Sequence, residues 1–176
     1  MNTQSPIPPE ASAARRGRVW RWVRDLSLIA VAVLAIQWWQ SRDLAGGAAP
    51  VLIGLLTDGA PYQANYRDGP LLVHFWATWC PVCRIEQGTI DSIAADHEVI
   101  TVATTSGTPD ELIAYLGEHA LGFRVVVDES GDIARDWGVA GVPATFIVGR
   151  DGSIQHAGMG YSTELGLRLR LWLAAL

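Results

Sequence analysis

Apolar and polar positions alternate along this 176-residue chain with two different periods, and the switches between them outline a succession of elements. Leu71–Phe75 is a short apolar run after the turn signal Asp68-Gly69-Pro70, which suits a buried central strand. Pro81 stands where it can open a helix running to about Asp96, with Ile90, Ile93 and Ala94 at core spacing. Val99–Thr104 reads as a second, β-branched strand. Thr108 followed by Pro109, Asp110 and Glu111 is a helix start, and the helix continues to about Glu118. Val125–Val127 is a third strand, and residues 130–137 a short helical turn. Thr145–Val148 and Ser153–Ala157 flank Asp151-Gly152, a hairpin signal. Thr163 caps a last helix, Glu164 to Ala174, whose leucines are expected on one side. The order is β-α-β-α-β, then a hairpin and a closing helix, with no internal repeat.

The N-terminal quarter follows another pattern. Residues 1–14 are polar and proline-bearing, and residues 1–18 read as a disordered, basic, cytoplasmic head. Leu26–Trp39 is apolar apart from Ser27 and Gln37, and extending it back to Val19 gives a stretch of 21 residues. That is about 31 Å of helix, enough to span a bilayer. Arg15, Arg16, Arg18, Arg21 and Arg24 precede or open this stretch and one arginine follows it, which orients the N-terminus inward. Trp20, Trp22, Trp38 and Trp39 fall at its two ends like interfacial belts. No small-x-small pattern directly follows the run, so an uncleaved signal anchor over residues 19–39 is expected rather than a removed signal. Residues 40–50, ending in Ala45-Gly46-Gly47-Ala48-Ala49-Pro50, read as a flexible tether. Residues 51–176 are then the folded domain.

Charge is split accordingly. Residues 1–44 carry six arginines against three acids (+3), and residues 45–176 seven against fifteen (−8). An acidic body without a basic patch excludes nucleic acid as a partner.

The chemistry lies in the only two cysteines, Cys80 and Cys83. Two cysteines cannot build a disulfide framework, and a structural zinc site wants four ligands, so no metal is expected and the redox reading is favoured. An unperturbed cysteine titrates near 8.5 and is mostly thiol at neutral pH. If Pro81 is the first helical residue, Cys80 is the N-cap, where free backbone N–H groups and the positive helix end stabilise its thiolate. Cys83 lies one turn inward and is shielded. Cys80 is therefore the attacking nucleophile and Cys83 the resolving thiol. Glu86, further along this helix, reads as part of a solvated face. Thr104-Thr105-Ser106 closes the second strand and is a candidate substrate edge.

Phe75-Trp76-Ala77-Thr78-Trp79-Cys80-Pro81-Val82-Cys83 resembles the active-site run of thioredoxin-fold proteins. It is most similar to the membrane-anchored, extracytoplasmic TlpA/DsbE type, including its branch linked to suppression of copper sensitivity. The resemblance covers residues 50–176 and takes in Gly141-Val142-Pro143-Ala144-Thr145. It implies a three-layer α/β fold with a central mixed sheet, here preceded by one transmembrane helix. It implies a cis Val142–Pro143 bond against the dithiol, with Val142 offering backbone hydrogen bonds to a substrate chain. It also implies protein thiol or disulfide substrates, no cofactor beyond the Cys80–Cys83 couple, and electrons delivered by a membrane thiol-disulfide transporter. Trp79, Pro81 and Val82 would form the docking surface around the nucleophile, with Trp76 in the core.

Two positions depart from the family pattern. His74 stands where thioredoxin carries a buried aspartate, and is a candidate proton acceptor for Cys83 or a neutral core imidazole. Gly88 replaces a helix-kinking proline, and a bend is expected there. Two other readings compete with the enzyme. One is a copper-binding or copper-delivery module using both thiolates; the other is a non-catalytic scaffold binding partners through Trp79 and Pro143.

Overall fold

The computed structural model describes Trp20, residues 22–29, Val31, Leu44 and residues 46–176. The first group is helical; the expected head over residues 1–18 and eleven of the 21 residues of the expected span over 19–39 lie outside the described residues. Among the described residues, no helix is long and apolar enough to cross a membrane.

The body is built on a five-stranded mixed sheet. Its strands are β3 (Leu71–Trp76), β4 (Val99–Thr104), β5 (Val125–Asp128), β6 (Ala144–Val148) and β7 (Ile154–Met159), in the order β5-β4-β3-β6-β7. β3, β4 and β5 are parallel, while β6 runs antiparallel to both β3 and β7. All six residues of β3 are buried, as a continuous apolar run in a doubly covered strand requires. A separate two-stranded ribbon, β1 (Ile53–Leu55) with β2 (Pro61–Gln63), precedes the sheet.

Four helices follow in the expected places: α1 (Pro81–Ala94), α2 (Pro109–Glu118), α3 (Asp132–Asp136) and α4 (Glu164–Ala174). Their starts are chemically specified. Thr108 and Glu111 close a capping box at α2, with the Thr108 N–H donating to Glu111 Oε2 over 2.8 Å. The Thr163 hydroxyl accepts the Gly166 N–H at the head of α4. α1 runs unbroken through Gly88.

Side chains alternate across β3 and seed two cores. Leu72 and Trp76 pack with residues of α1, α2 and α4, among them Ile90, Ile93, Leu112, Leu167 and Leu171. Val73 and Phe75 face the other side, against Ile100, Trp137 and Phe146. Phe75, Trp137 and Phe146 meet ring to ring at centroid distances of 4.9–5.7 Å. These layers give the thioredoxin-like three-layer arrangement.

Three expectations need correction. Part of the stretch read as a flexible tether is pinned: Gly47 O accepts the Ile154 N–H, the Ala49 N–H donates to Gly152 O, and Leu44 is buried in the second core. The β6–β7 turn offers free backbone groups there, and they recruit the preceding chain, so the body begins before residue 51. β1 and β2 were not anticipated, because each has three residues and alternates only between exposed and half-buried. The leucines of α4 do not share one side: Leu167 and Leu171 are buried, whereas Leu165, Leu169 and Leu173 are exposed.

Candidate active site

β3 ends at Trp76, and a three-residue loop delivers Cys80 to the head of α1. Cys80 is the N-cap, with extended backbone (φ −86°, ψ 114°), and Pro81 fills the first helical position, where no N–H is needed. Cys80 and Cys83 are joined as a disulfide. The Cys83 N–H still points at Cys80 Sγ, 3.2 Å away, so a donor and the positive helix end favour a thiolate on Cys80 once the bond opens. Cys83 is 2% and Cys80 4% exposed, but Pro81 and Val82 beside Cys80 are open to solvent. Approach to the couple is from that side.

The loop before Cys80 is held by its own hydrogen bonds. Ser106 Oγ accepts the Thr78 N–H and donates to Thr104 O. The Arg84 guanidinium donates twice to Thr78 O, over 3.0 and 3.2 Å. Trp79 lays an exposed indole across the surface and donates its N–H to Thr105 O. Thr105 itself adopts φ 45°, a left-handed conformation that β-branched residues disfavour. The predicted substrate edge at residues 104–106 thus proves to be the frame of the dithiol loop. It also borders an open groove of about 230 Å³ lined by Trp79, Thr105, Gly131, Val139 and Val142.

Across from the dithiol, the Val142–Pro143 peptide is cis, and the Val142 carbonyl oxygen lies 3.7 Å from Cys80 Sγ. Pro143 is buried at the entry of β6, while Val142 is half-buried. The structure therefore gathers Trp79, Pro81, Val82, Val142 and Pro143 around Cys80.

Beneath the dithiol lie two titratable groups. His74 is central in β3, opposite Thr101 on β4 and Thr145 on β6. Alternation puts it on the same face as Leu72 and Trp76, in the layer that holds Cys83. Its Nδ1 is 2.9 Å from Thr145 Oγ1, and burial pushes its pKa down to about 3. The ring is neutral at physiological pH and is too weak a base to take a thiol proton efficiently. The expectation of a proton acceptor at His74 is not met by this environment.

Glu86 corrects the reading of a solvated face, because it is fully buried. Cys83, Glu86, Ile90 and Ile93 share the inner face of α1 at helical spacing. Glu86 Oε1 accepts the Ser162 N–H over 3.0 Å, and Oε2 has no hydrogen-bond partner. Burial raises its pKa to about 7 against the lowering effect of the Ser162 bond. The position at i+3 from Cys83 was the available signal, but a charged residue on a helix is ordinarily exposed. The Ser162 backbone that receives it comes from 76 residues away, which no local pattern reveals.

A helix-capping cysteine with a second cysteine one turn inward, faced by a cis-proline loop on a three-layer fold, defines a thioredoxin-like disulfide oxidoreductase. The chain belongs to the AhpC/TSA family, which it matches over residues 45–157, and within it to the thiol:disulfide interchange proteins. It is 38% identical over 125 residues to the thiol:disulfide interchange protein HelX of Rhodobacter capsulatus, covering 69% of this chain and 71% of HelX. It is 34% identical to CycY of Rhizobium leguminosarum bv. viciae, covering 69% of this chain and 66% of CycY. The fold superposes on a putative thiol:disulfide interchange protein DsbE from Chlorobium tepidum with a TM-score of 0.68. That likeness covers 76% of this chain and 99% of the other at 22% identity.

Proposed function

We propose that this protein is a membrane-tethered, extracytoplasmic thiol:disulfide oxidoreductase that reduces disulfides in protein substrates. The observation that carries the chemistry is the Cys83 N–H directed at Cys80 Sγ at the head of α1. In the reduced enzyme, the Cys80 thiolate attacks one sulfur of a substrate disulfide. That S–S bond breaks, a Cys80–substrate disulfide forms, and the departing substrate thiolate takes a proton from water. Cys83, deprotonated by Glu86, then attacks Cys80 Sγ. The substrate's second thiolate leaves and is protonated, and Cys80–Cys83 is oxidised. Two electrons and two protons pass to the substrate in each turnover.

Glu86 suits the deprotonation step because a group near pH 7 is matched to a thiol, whereas His74 is not. His74 then serves as a neutral, hydrogen-bonded support of the β3–β6 pairing. The exposed Trp79 indole and the half-buried Val142 backbone offer an apolar wall and a hydrogen-bonding edge to an extended substrate chain. The tether and outward orientation rest on the arginine-flanked apolar stretch at residues 19–39, and the reducing direction on the family resemblance alone. A membrane thiol-disulfide transporter would re-reduce the couple.

The deciding measurement is the reduction potential of Cys80–Cys83 in the full chain held in detergent. A value near −270 mV or lower supports the reducing role, and one near −120 mV overturns it in favour of an oxidant.

A further inference from the structure

α4 is apolar on two opposed sides. Leu167 and Leu171 enter the core, while Leu165, Leu169, Trp172, Leu173 and Leu176 are 53–86% exposed. At 100° per residue, the four exposed side chains on the helix, Leu165, Leu169, Trp172 and Leu173, fall within a single arc of about 100°, bordered by Arg168 on one side and Arg170 on the other, and Leu176 follows two residues past the helix end. A continuous outward stripe of this kind is a contact surface rather than scattered exposed leucines.

The position of the stripe indicates what covers it. Ser162 meets Glu86 near the head of α1, Glu164 meets Ser92 near its end, and Arg168 reaches Asp96 beyond it. α4 therefore runs alongside α1, away from the dithiol. Its last turns lie at the pole of the sheet marked by Leu71 and Val148, opposite the end that carries Cys80. At this same pole the incoming chain joins the body, where Gly47 and Ala49 bond to the β6–β7 hairpin. Only residues 40–43 stand between Trp39, the end of the apolar stretch, and the buried Leu44. Fully extended, that interval reaches less than about 20 Å.

We infer that the outward stripe of α4 is a bilayer contact: Leu169, Trp172, Leu173 and Leu176 rest in the membrane interface and turn the Cys80 pole outward. The inference rests on the tethered reading proposed above. Tryptophan and leucine on one helical face, edged by arginine, is the composition of an interfacial helix. The acidic body would be repelled by an anionic surface, so apolar insertion carries the contact and neutral lipid suffices.

The test places the full chain in neutral phosphatidylcholine vesicles, with plain or brominated acyl chains. The difference in emission between the wild type and Trp172→Phe isolates residue 172. Brominated lipid is expected to remove most of that contribution, and a Leu169→Glu/Leu173→Glu variant to restore it. The same variant should still reduce a small soluble disulfide at the wild-type rate, since neither residue touches the dithiol. Emission from Trp172 that is indifferent to bromine, in protein that floats with the vesicles after alkaline washing, overturns the contact and leaves the tether standing. Protein that fails to float sinks both readings. A lipid-independent dimer that dissociates in the Leu169→Glu/Leu173→Glu variant assigns the stripe to a second copy and overturns the inference.

Discussion

Cys83 and Glu86 stand one helical turn apart on the buried face of α1, with the resolving sulfur above and a carboxyl of pKa about 7 below it. The Ser162 N–H fixes one carboxyl oxygen, which leaves the other as the proton-accepting atom. A base in this position is relevant only to the second half of the exchange. Glu86→Gln is therefore expected to slow release of the Cys80 mixed disulfide on the order of 100-fold while leaving its formation unchanged. Rapid quenching with separation of the mixed disulfide measures both steps. In the wild type the release rate should rise with deprotonation near pH 7, and in the variant that inflection should vanish. Equal slowing of both steps would remove Glu86 from the resolving reaction.

The same carboxyl makes stability depend on pH. Its folded pKa, about 7, lies above the ordinary 4.5, so the native state holds the proton more tightly than the unfolded chain. Its contribution is full below pH 4.5 and is lost as pH rises through 7. The difference corresponds to about 3 kcal/mol at most. Glu86→Gln, which carries no charge at any pH, should gain stability relative to wild type between pH 5 and 8 in urea titrations. A constant difference across that range would show that the folded and unfolded chains bind the same number of protons at Glu86, so that its folded pKa is not raised.

His74 has the opposite sign. Burial depresses its folded pKa from 6.5 to about 3, so the unfolded chain binds the proton first as pH falls. Native stability from this group is intact above pH 6.5 and is lost on the way down to pH 3. His74→Gln removes the titration, and its amide can still meet Thr145 Oγ1. The expected result is a variant whose urea midpoint falls less than that of the wild type between pH 6.5 and 4.5. Matched losses in the two proteins would place the acid sensitivity elsewhere.

Much of this arrangement is legible in the residues themselves. Cys80-Pro81 sets the helix start, Thr108 and Glu111 set α2, and the continuous apolar run from Leu71 to Phe75 fits the central strand. The nearly regular alternation of β3 also places His74 toward the dithiol layer. Long-range pairing was not legible. Glu86 looks solvated until the chain returns at Ser162 to cover it, and Gly47–Ala49 look free until the β6–β7 turn offers them partners. Nor does a leucine-rich helix reveal which of its sides is left outward, because Leu165 and Leu167 differ only in what packs on them.

Trp79 illustrates how the remaining surface can be tested. Its indole is 59% exposed, and its N–H is anchored to Thr105 O, so the ring is presented rigidly beside Cys80. Trp79→Ala is expected to raise KM for a protein disulfide on the order of 10-fold, while a small disulfide reagent is reduced at nearly the wild-type rate. A similar loss on both substrates would mean that the indole supports the dithiol geometry rather than the partner.

Ser106 supplies the counterpart, a group that acts on the loop and not on the substrate. Its hydroxyl is the sole side-chain partner of the Thr78 N–H and also bonds Thr104 O, in a residue only 8% exposed. Ser106→Ala removes the hydroxyl that pairs the half-buried Thr78 N–H and the buried Thr104 carbonyl, at a cost of about 1–3 kcal/mol. The loop from Ala77 to Trp79 then loses its backbone tie to the end of β4, while Arg84 still holds Thr78 O and the Trp79 indole still reaches Thr105 O. Cys80 would sample more positions at the helix head, so both small and large disulfides should react more slowly. Ser106→Thr, which keeps the hydroxyl, should recover most of the rate. Urea unfolding and turnover measured together decide the matter: a stability loss without slower turnover confines Ser106 to the fold, and slowing that Ser106→Thr does not rescue rejects the hydroxyl as the cause.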